Sequence, residues 1–239
     1  MKLPLFYKPD IYLNDSEIIL DELSSKHIIQ VLRMKIGEQL QLTDGKGNLF
    51  TGKIKEDNRK KCSVTILQTL EIQPAASNII IAISPIKNNS RFEWFLEKAT
   101  EIGVSQIVPL ICERTEKQHF KYDRMNSILV SAMLQSQQVW LPVLHEPVKF
   151  TKYINDVKGE AGLQKLIAHC QDEESKVQLS NNLINKANSQ LILIGPEGDF
   201  SKAEIDAAIA NNFSPVALGS TRLRTETAGI VAAALLCNF

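Results

Sequence analysis

Leu191-Ile-Leu-Ile-Gly195-Pro196-Glu197-Gly198 and, further on, Leu218-Gly219-Ser220-Thr221-Arg222-Leu223-Arg224-Thr225-Glu226-Thr227-Ala228 decide how this chain folds. Each segment reads as an apolar strand that enters a small-residue turn and then a helix. Each therefore delivers backbone amides to the carboxyl edge of a sheet, the edge at which α/β proteins bind ligands. The first segment has neither the dinucleotide pattern G-x-G-x-x-G nor the phosphate loop G-x-x-x-x-G-K-[ST]. Gly195 and Gly198 can take positive φ and admit close approach to the backbone, while Pro196 stiffens the turn between them. Ser201, three residues before Glu204, forms a capping box that starts a helix through Ala207, Ala208 and Ile209. Alone, a Gly-Pro-x-Gly is more often an ordinary strand-to-helix turn than a ligand site.

The second segment shifts that balance. Arg222 and Arg224 stand beside Gly219 and directly before a nearly charge-free helix, Ala228-Gly-Ile-Val-Ala-Ala-Ala-Leu-Leu236, whose composition predicts burial. Thr225 or Thr227 is placed to cap that helix, and Glu226 falls in its first turn, where a carboxylate favours the helix dipole. A salt bridge to Glu226 or Glu197 would be a sufficient structural reason for one arginine. Two arginines at the mouth of a glycine-lined cleft are less easily dismissed, and at least one of them is expected to touch a substrate.

Working outward, Asn78 to Ser84, Gln106 to Ile111, Leu163 to His169, Gln190 to Ile194 and Pro215 to Leu218 are short apolar runs separated by helical patterns. They predict a mostly parallel sheet covered on both faces. Asn89 is placed to cap a helix whose Phe92, Phe95, Leu96, Ala99 and Ile102 recur at helical spacing before Gly103 stops it. Residues 1–73 read differently, as a small β-rich domain: Gln39-Leu-Gln-Leu42 alternates, Asp44-Gly-Lys-Gly-Asn48 is turn chemistry, and Cys62 to Ile72 is rich in β-branched residues. One helix interrupts it, capped by Ser24 or Ser25, with Ile28, Val31 and Leu32 on its apolar face and Gly37 at its end. Thr69 to Ser77, with Pro74, reads as the linker, so the chain divides into 1–73 and 74–239.

Charge argues weakly. Lys plus Arg equals Asp plus Glu at 27 each, with 11 basic against 10 acidic residues before position 74. A nucleic-acid binder usually carries a basic face, so this balance counts mildly against RNA. Lys53, Lys55, Arg59, Lys60 and Lys61 do surround one hairpin and suit phosphates, although such runs are also ordinary solvated turns. Cys62, Cys112, Cys170 and Cys237 are scattered without C-x-x-C or a nearby His at ligand spacing, so no metal site or disulfide framework is expected. No apolar run reaches the ~20 residues of a membrane span and the N-terminus lacks a signal-peptide core. A cytoplasmic protein is expected.

The two motifs together resemble those of the 16S rRNA uridine-N3 methyltransferases of the SPOUT superfamily, and the resemblance extends over essentially the whole chain. His27-Ile28 followed by Val31-Leu32-Arg33, with Gly37 and the Asp44-Gly45 turn, is similar to that family's N-terminal RNA-binding signature. Phe92 to Val104 resembles the helix that opens its catalytic domain. The resemblance implies a PUA-like β-barrel over 1–73 and a SPOUT methyltransferase domain over 74–239, an α/β unit with a trefoil-knotted, mostly parallel sheet. It also implies a homodimer, to which Leu235, Leu236 and Phe239 of the last helix would contribute, and small-subunit rRNA as partner.

S-adenosylmethionine is the implied cofactor. Ile194, Gly195, Pro196, Glu197, Gly198, Leu218, Gly219, Leu223, Thr225 and Ala228 would hold it, and His169 would border the same pocket or be a satisfied strand-end histidine. Arg224 and Glu226 would act in catalysis, Glu226 as a base or merely as a cap. His27, Arg33, Lys53 and Arg222 would meet RNA, with a capping role as the competing reading of His27. Two departures from the family stand out: Gly198-Asp199 where many members have Gly-Gly, and Gln138 where the family has arginine. Two further readings stay open: a ribose 2′-O-methyltransferase of the same superfamily, and a non-catalytic RNA-binding assembly factor.

Overall fold

The computed structural model describes residues 3–116, 120–171, 176–182 and 188–238; Phe239 lies outside them. The chain forms two compact units, Met1–Pro74 with Met133–Leu141, and Ala75–Ala132 with Pro142–Phe239.

In the N-terminal unit, β1 (Leu5–Tyr7), β2 (Glu17–Ile19), β3 (Gln39–Thr43), β4 (Asn48–Glu56) and β5 (Ser63–Glu71) form one curled sheet in the order β1-β3-β4-β5-β2. β1 runs parallel to β3 and the other neighbours are antiparallel. The curl has local causes. Register shifts interrupt β4 against β5 after Thr51 and Ile54, and such bulges bend a strand and increase its twist. The alternation read in the sequence is real: Leu40, Leu42, Phe50, Ile54 and Val64 point inward and are fully or almost fully buried. This is the PUA-like barrel.

The interrupting helix departs from expectation in three ways. Its cap is Asp21, whose side chain accepts from Ser24 N, and not Ser24 or Ser25. Ser25 Oγ is engaged elsewhere, accepting from Cys62 N at 2.9 Å. After α1 (Glu22–Lys26) the backbone widens into one π turn, His27–Val31, closed by Leu32 N to His27 O at 2.9 Å. The wider turn rotates the side chains that follow, so Ile28 is buried while Val31 and Leu32 are 65% and 43% exposed. Arg33, at φ +57°, ends the turn, and Gly37 serves the later bend into β3.

The second unit is built on β6 (Asn78–Ile83), α2 (Asn89–Ile102), β7 (Gln106–Ile111), α3 (Tyr122–Gln135), β8 (Val143–Leu144), β9 (Val148–Lys149), α4 (Phe150–Asp156), β10 (Leu163–Ala168), β11 (Val177–Gln178), α5 (Leu179–Asn182), β12 (Ser189–Ile194), α6 (Lys202–Ala210), β13 (Ser214–Ala217) and α7 (Thr225–Asn238). The five apolar runs are its main strands, ordered β11-β13-β10-β12-β6-β7-β8 with every pairing parallel. Alternate residues divide between the faces. Ile80, Ala82, Leu191 and Leu193 meet Phe150 and Ile154 of α4 and Ile205 and Ala208 of α6. On the other face lie α2 and α7, packed against each other and, through α7, against β6 and β12. The α2 cap is Asn88, one residue before the expected Asn89, and Gly103 ends the helix at φ +101° as predicted.

The order explains the crossover. β13 lies beyond β10, yet the helix that follows it returns to β6 and β12 in the middle of the sheet. The chain between them must cross back over the strand ends, as a trefoil knot requires. Leu236 is fully buried, so it is core and not part of the subunit contact that the resemblance implied for the last helix.

Candidate active site

The register of the sheet sets Ala168 of β10 beside Ile194 of β12 and Val216 of β13. The loops that leave these three strands therefore emerge side by side at one edge. They enclose a groove of two lobes, of about 420 and 300 Å³, within the size range of small-ligand sites.

Gly195 is required for space and not for φ. A Cβ there would stand 3.0 Å from the Phe200 ring and 3.1 Å from Phe200 N. Neither Gly195 nor Gly198 has positive φ, contrary to the sequence reading; Asp199, at +63°, takes the left-handed position of this turn. The turn closes through Asp199 N to Pro196 O at 2.9 Å. Arg114 Nη1 donates to Gly198 O at 2.8 Å, Glu197 Oε1 accepts from Lys87 N at 3.1 Å, and the Ser201–Glu204 capping box anchors the far end.

The two motif loops are joined directly. Thr225 is buried and its hydroxyl donates to Gly195 O at 3.1 Å, so it bridges the loops and does not cap α7. Arg224 occupies the cap position, its carbonyl accepting from Ala228 N at 2.8 Å. Glu226 is only 5% exposed and lines the larger lobe. Its Oε1 lies 3.7 Å from Arg91 Nε, and its Oε2 has no hydrogen-bond partner among the described residues. Burying a carboxylate oxygen unpaired costs free energy that a bound donor recovers. Arg222 and Arg224 are exposed at the rim, and among the described residues neither forms an ion pair; the ion pair with Glu226 is made by Arg91.

Of the residues expected at the cofactor, Ile194, Gly195, Pro196, Glu197, Leu223, Thr225 and Ala228 line the larger lobe with Arg222, Arg224 and Glu226. Leu218, Gly219 and His169 line the smaller one. Gly198 lines neither and instead packs on Arg114. Sequence reasoning missed Arg91 and Arg114, because an arginine near a helix start or after a strand carries no local mark of the loop it will reach.

His27, Arg33 and Lys53 belong to the barrel unit and are exposed. His27 packs edge-on against Phe6 with ring centroids 5.9 Å apart. Arg33 lines a shallow groove of about 610 Å³ with Leu32, Gln39 and Gln137. In the basic cluster Lys55 is engaged with Glu17 at 2.6 Å.

Residues 73–237 match the model of an RNA methyltransferase domain, and residues 20–67 match that of an RNA methyltransferase PUA domain. The chain belongs to the RNA methyltransferase family. Its methyltransferase fold is shared with a probable rRNA-methyltransferase from Porphyromonas gingivalis, 40% identical with a TM-score of 0.86 over 97% of this chain and 95% of that one. Ribosomal RNA small subunit methyltransferase E from Neisseria gonorrhoeae, solved bound to S-adenosyl methionine, is 27% identical with a TM-score of 0.86, covering 98% of this chain and 96% of that one. Ribosomal RNA small subunit methyltransferase E of Rickettsia conorii is 28% identical over 94% of this chain and 93% of its own length.

Proposed function

We propose that this methyltransferase uses S-adenosylmethionine to methylate N3 of a uridine in small-subunit rRNA, as a cytoplasmic homodimer in which residues 1–73 hold RNA and 74–239 perform the transfer. The observation that carries the reading is the buried Glu226, with one carboxylate oxygen unpaired among the described residues, beside Arg224 in a two-lobed groove. The family, the relatives named small subunit methyltransferase E, and the cofactor bound in one of them support it.

The residues present fit the cofactor. Val216, Ala217 and Leu218 give the smaller lobe an apolar wall suited to a nucleoside, and the loops of the larger lobe offer backbone groups to polar donors and acceptors. Bound there, S-adenosylmethionine supplies a methyl carbon on a sulfonium sulfur. Transfer of that methyl to uridine N3 would form an N–C bond, release the thioether as the C–S bond breaks, and require the N3 proton to leave. The protein's first task is alignment, because an in-line displacement depends on the distance and angle at which its partners are held. Arg224 stabilises the negative charge that spreads onto the uracil carbonyl oxygens as that proton departs. The Glu226 carboxylate accepts the proton, with Arg91 Nε 3.7 Å from its Oε1. Arg222 at the rim, with His27, Arg33 and Lys53 on the barrel, meets RNA phosphates.

The test is transfer of labelled methyl from S-adenosylmethionine to unmethylated small ribosomal subunits, with the product nucleoside identified by mass spectrometry. N3-methyluridine is expected. A 2′-O-methylated nucleoside would move the reaction to ribose, and cofactor binding without transfer would leave an RNA-binding factor. Sedimentation of the free protein tests the dimer.

A further inference from the structure

Two helical segments of the barrel unit end alike. At the end of α3, Gln138 N donates to Met133 O at 2.9 Å and Gln137 N to Leu134 O at 3.2 Å, with Gln137 at φ +59°. After the π turn, Met34 N donates to Ile28 O at 3.0 Å, with Arg33 at φ +57°. Glycine is the usual residue at such a left-handed helix end, because a Cβ there is strained. Both positions hold a long polar side chain instead, and the two line one groove, which lies wholly within the barrel unit. Backbone strain of this kind gathers where side chains are held for function.

The rest of the groove fits an unstacked base. Pro4, Leu32 and Met34 give it apolar surface, while Glu38 and Gln39 add a carboxylate and an amide. Glu38 Oε2 accepts from Lys35 N at 2.7 Å and Gln137 Nε2 donates to Leu134 O at 3.1 Å, which steadies both side chains. Arg33 and Glu38 share the groove without an ion pair between them among the described residues. A cation and a carboxylate that line one groove unpaired match guanine, which alone among the RNA bases carries two adjacent acceptors, O6 and N7, and two adjacent donors, N1–H and the N2 amino group. Gln39 stands opposite Lys53 in the β3–β4 ladder, so a second cation borders the groove on the side of that amide.

We infer that this groove reads one unpaired guanine of the RNA. Arg33 donates to O6 and N7, the Glu38 carboxylate accepts from N1–H and the N2 amino group, and the Gln39 and Gln137 amides flank the ring. Lys53 takes an adjoining phosphate. Arg33, with donors on two edges, serves the base and a phosphate together. The inference rests on the proposed reading that the barrel unit holds RNA, and it gives that unit a base to recognise as well as phosphates to hold.

Fluorescence anisotropy of the intact protein with labelled pentaribonucleotides tests this, using UUGUU, UUAUU, UUUUU and a UUGUU analogue with inosine, which lacks only the N2 amino group. Uridines are common to all the probes, so any binding by them elsewhere cancels. UUGUU is expected to bind about tenfold tighter than UUAUU or UUUUU, and about fivefold tighter than the inosine probe. E38Q keeps a carbonyl oxygen for Lys35 N but not the charge, and should bring the guanosine and inosine probes within about twofold of each other. R33K keeps the charge without the planar fork and should cut the preference for guanine to below about threefold. Q137G removes the amide at a φ that glycine tolerates, so folding is preserved, and should weaken UUGUU about threefold while UUUUU is unchanged. Equal affinity for UUGUU, UUAUU and UUUUU would reduce the groove to phosphate contacts and overturn the inference, as would an inosine penalty that survives E38Q. Methyl transfer to subunits by a chain with no guanine preference would remove the reading site alone. Guanine preference without transfer would keep the site and remove the proposed reaction.

Discussion

Arg224 and Glu226 stand two residues apart in opposite surroundings: the arginine is exposed at the groove rim, the glutamate 5% exposed inside it. An exposed guanidinium free of ion pairs can follow charge as it develops on a substrate, whereas a ground-state contact would show equally in binding. Arg224→Ala is therefore expected to lower kcat by about 10²–10³ while changing S-adenosylhomocysteine affinity less than about threefold, the profile of a lost transition-state donor. Stopped transfer assays and calorimetry measure the two quantities. Equal losses in both would assign Arg224 to holding the cofactor. At this scale the sequence was legible in residue type more than in conformation. Gly195 was singled out for close approach to its backbone and for positive φ; the neighbour that approaches it is Phe200, and the left-handed residue is Asp199. Asp is one of the few non-glycine types that tolerates that region, and nothing local distinguishes which of two neighbours will take it.

The strands were legible because buried parallel strands must be apolar on both faces and so read as unbroken runs; Gln106–Ile111 matches its expected bounds and the other four differ by a residue or so. Caps were less so. Asn88 and Asn89 are the same residue type side by side, and only the hydrogen bond from Ser90 N to the Asn88 side chain decides between them. The π turn over His27–Val31 has no sequence signature. Gly229 shows what helix composition leaves out. It lies inside α7, where glycine costs about 1 kcal/mol relative to alanine, yet a Cβ there would fall 2.6 Å from Phe95 and 2.8 Å from Ile83. Overpacking a core costs about 1–3 kcal/mol, which outweighs the gain in propensity. Gly229→Ala should therefore lower the thermal midpoint by roughly 2–4 °C per kcal/mol lost, and Phe95→Leu in the same chain should recover part of that loss. A raised midpoint for Gly229→Ala would show that α7 and α2 can separate without penalty.

Threading and long-range partnership belong to the whole molecule, and local pattern does not encode either. The crossover of the last strand and helix was expected only from the family, and the attachment of residues 133–141 to the barrel unit was not expected at all. That attachment is specific. Gly47 N donates to Val139 O at 3.0 Å, Leu141 N to Gly45 O at 2.8 Å, Thr43 Oγ1 to Val139 O at 3.3 Å and Trp140 Nε1 to Ile72 O at 3.0 Å. Gly47, at φ +95°, has no room for a Cβ because the Trp140 ring would lie 2.4 Å from it. These bonds are worth about 1 kcal/mol each, and the Trp140 ring adds apolar burial at roughly 25 cal/mol per Å². Together they are a large fraction of the ~5–15 kcal/mol that holds a small domain folded. A fragment ending at Pro74 should therefore unfold at a distinctly lower urea concentration than the same strands in the intact chain, followed by circular dichroism for the fragment and by hydrogen exchange of β3 to β5 for the whole. Joining residues 133–141 to that fragment through a flexible linker should restore most of the difference. Equal midpoints for the bare fragment and the intact barrel would mean that the late segment decorates a unit already complete without it.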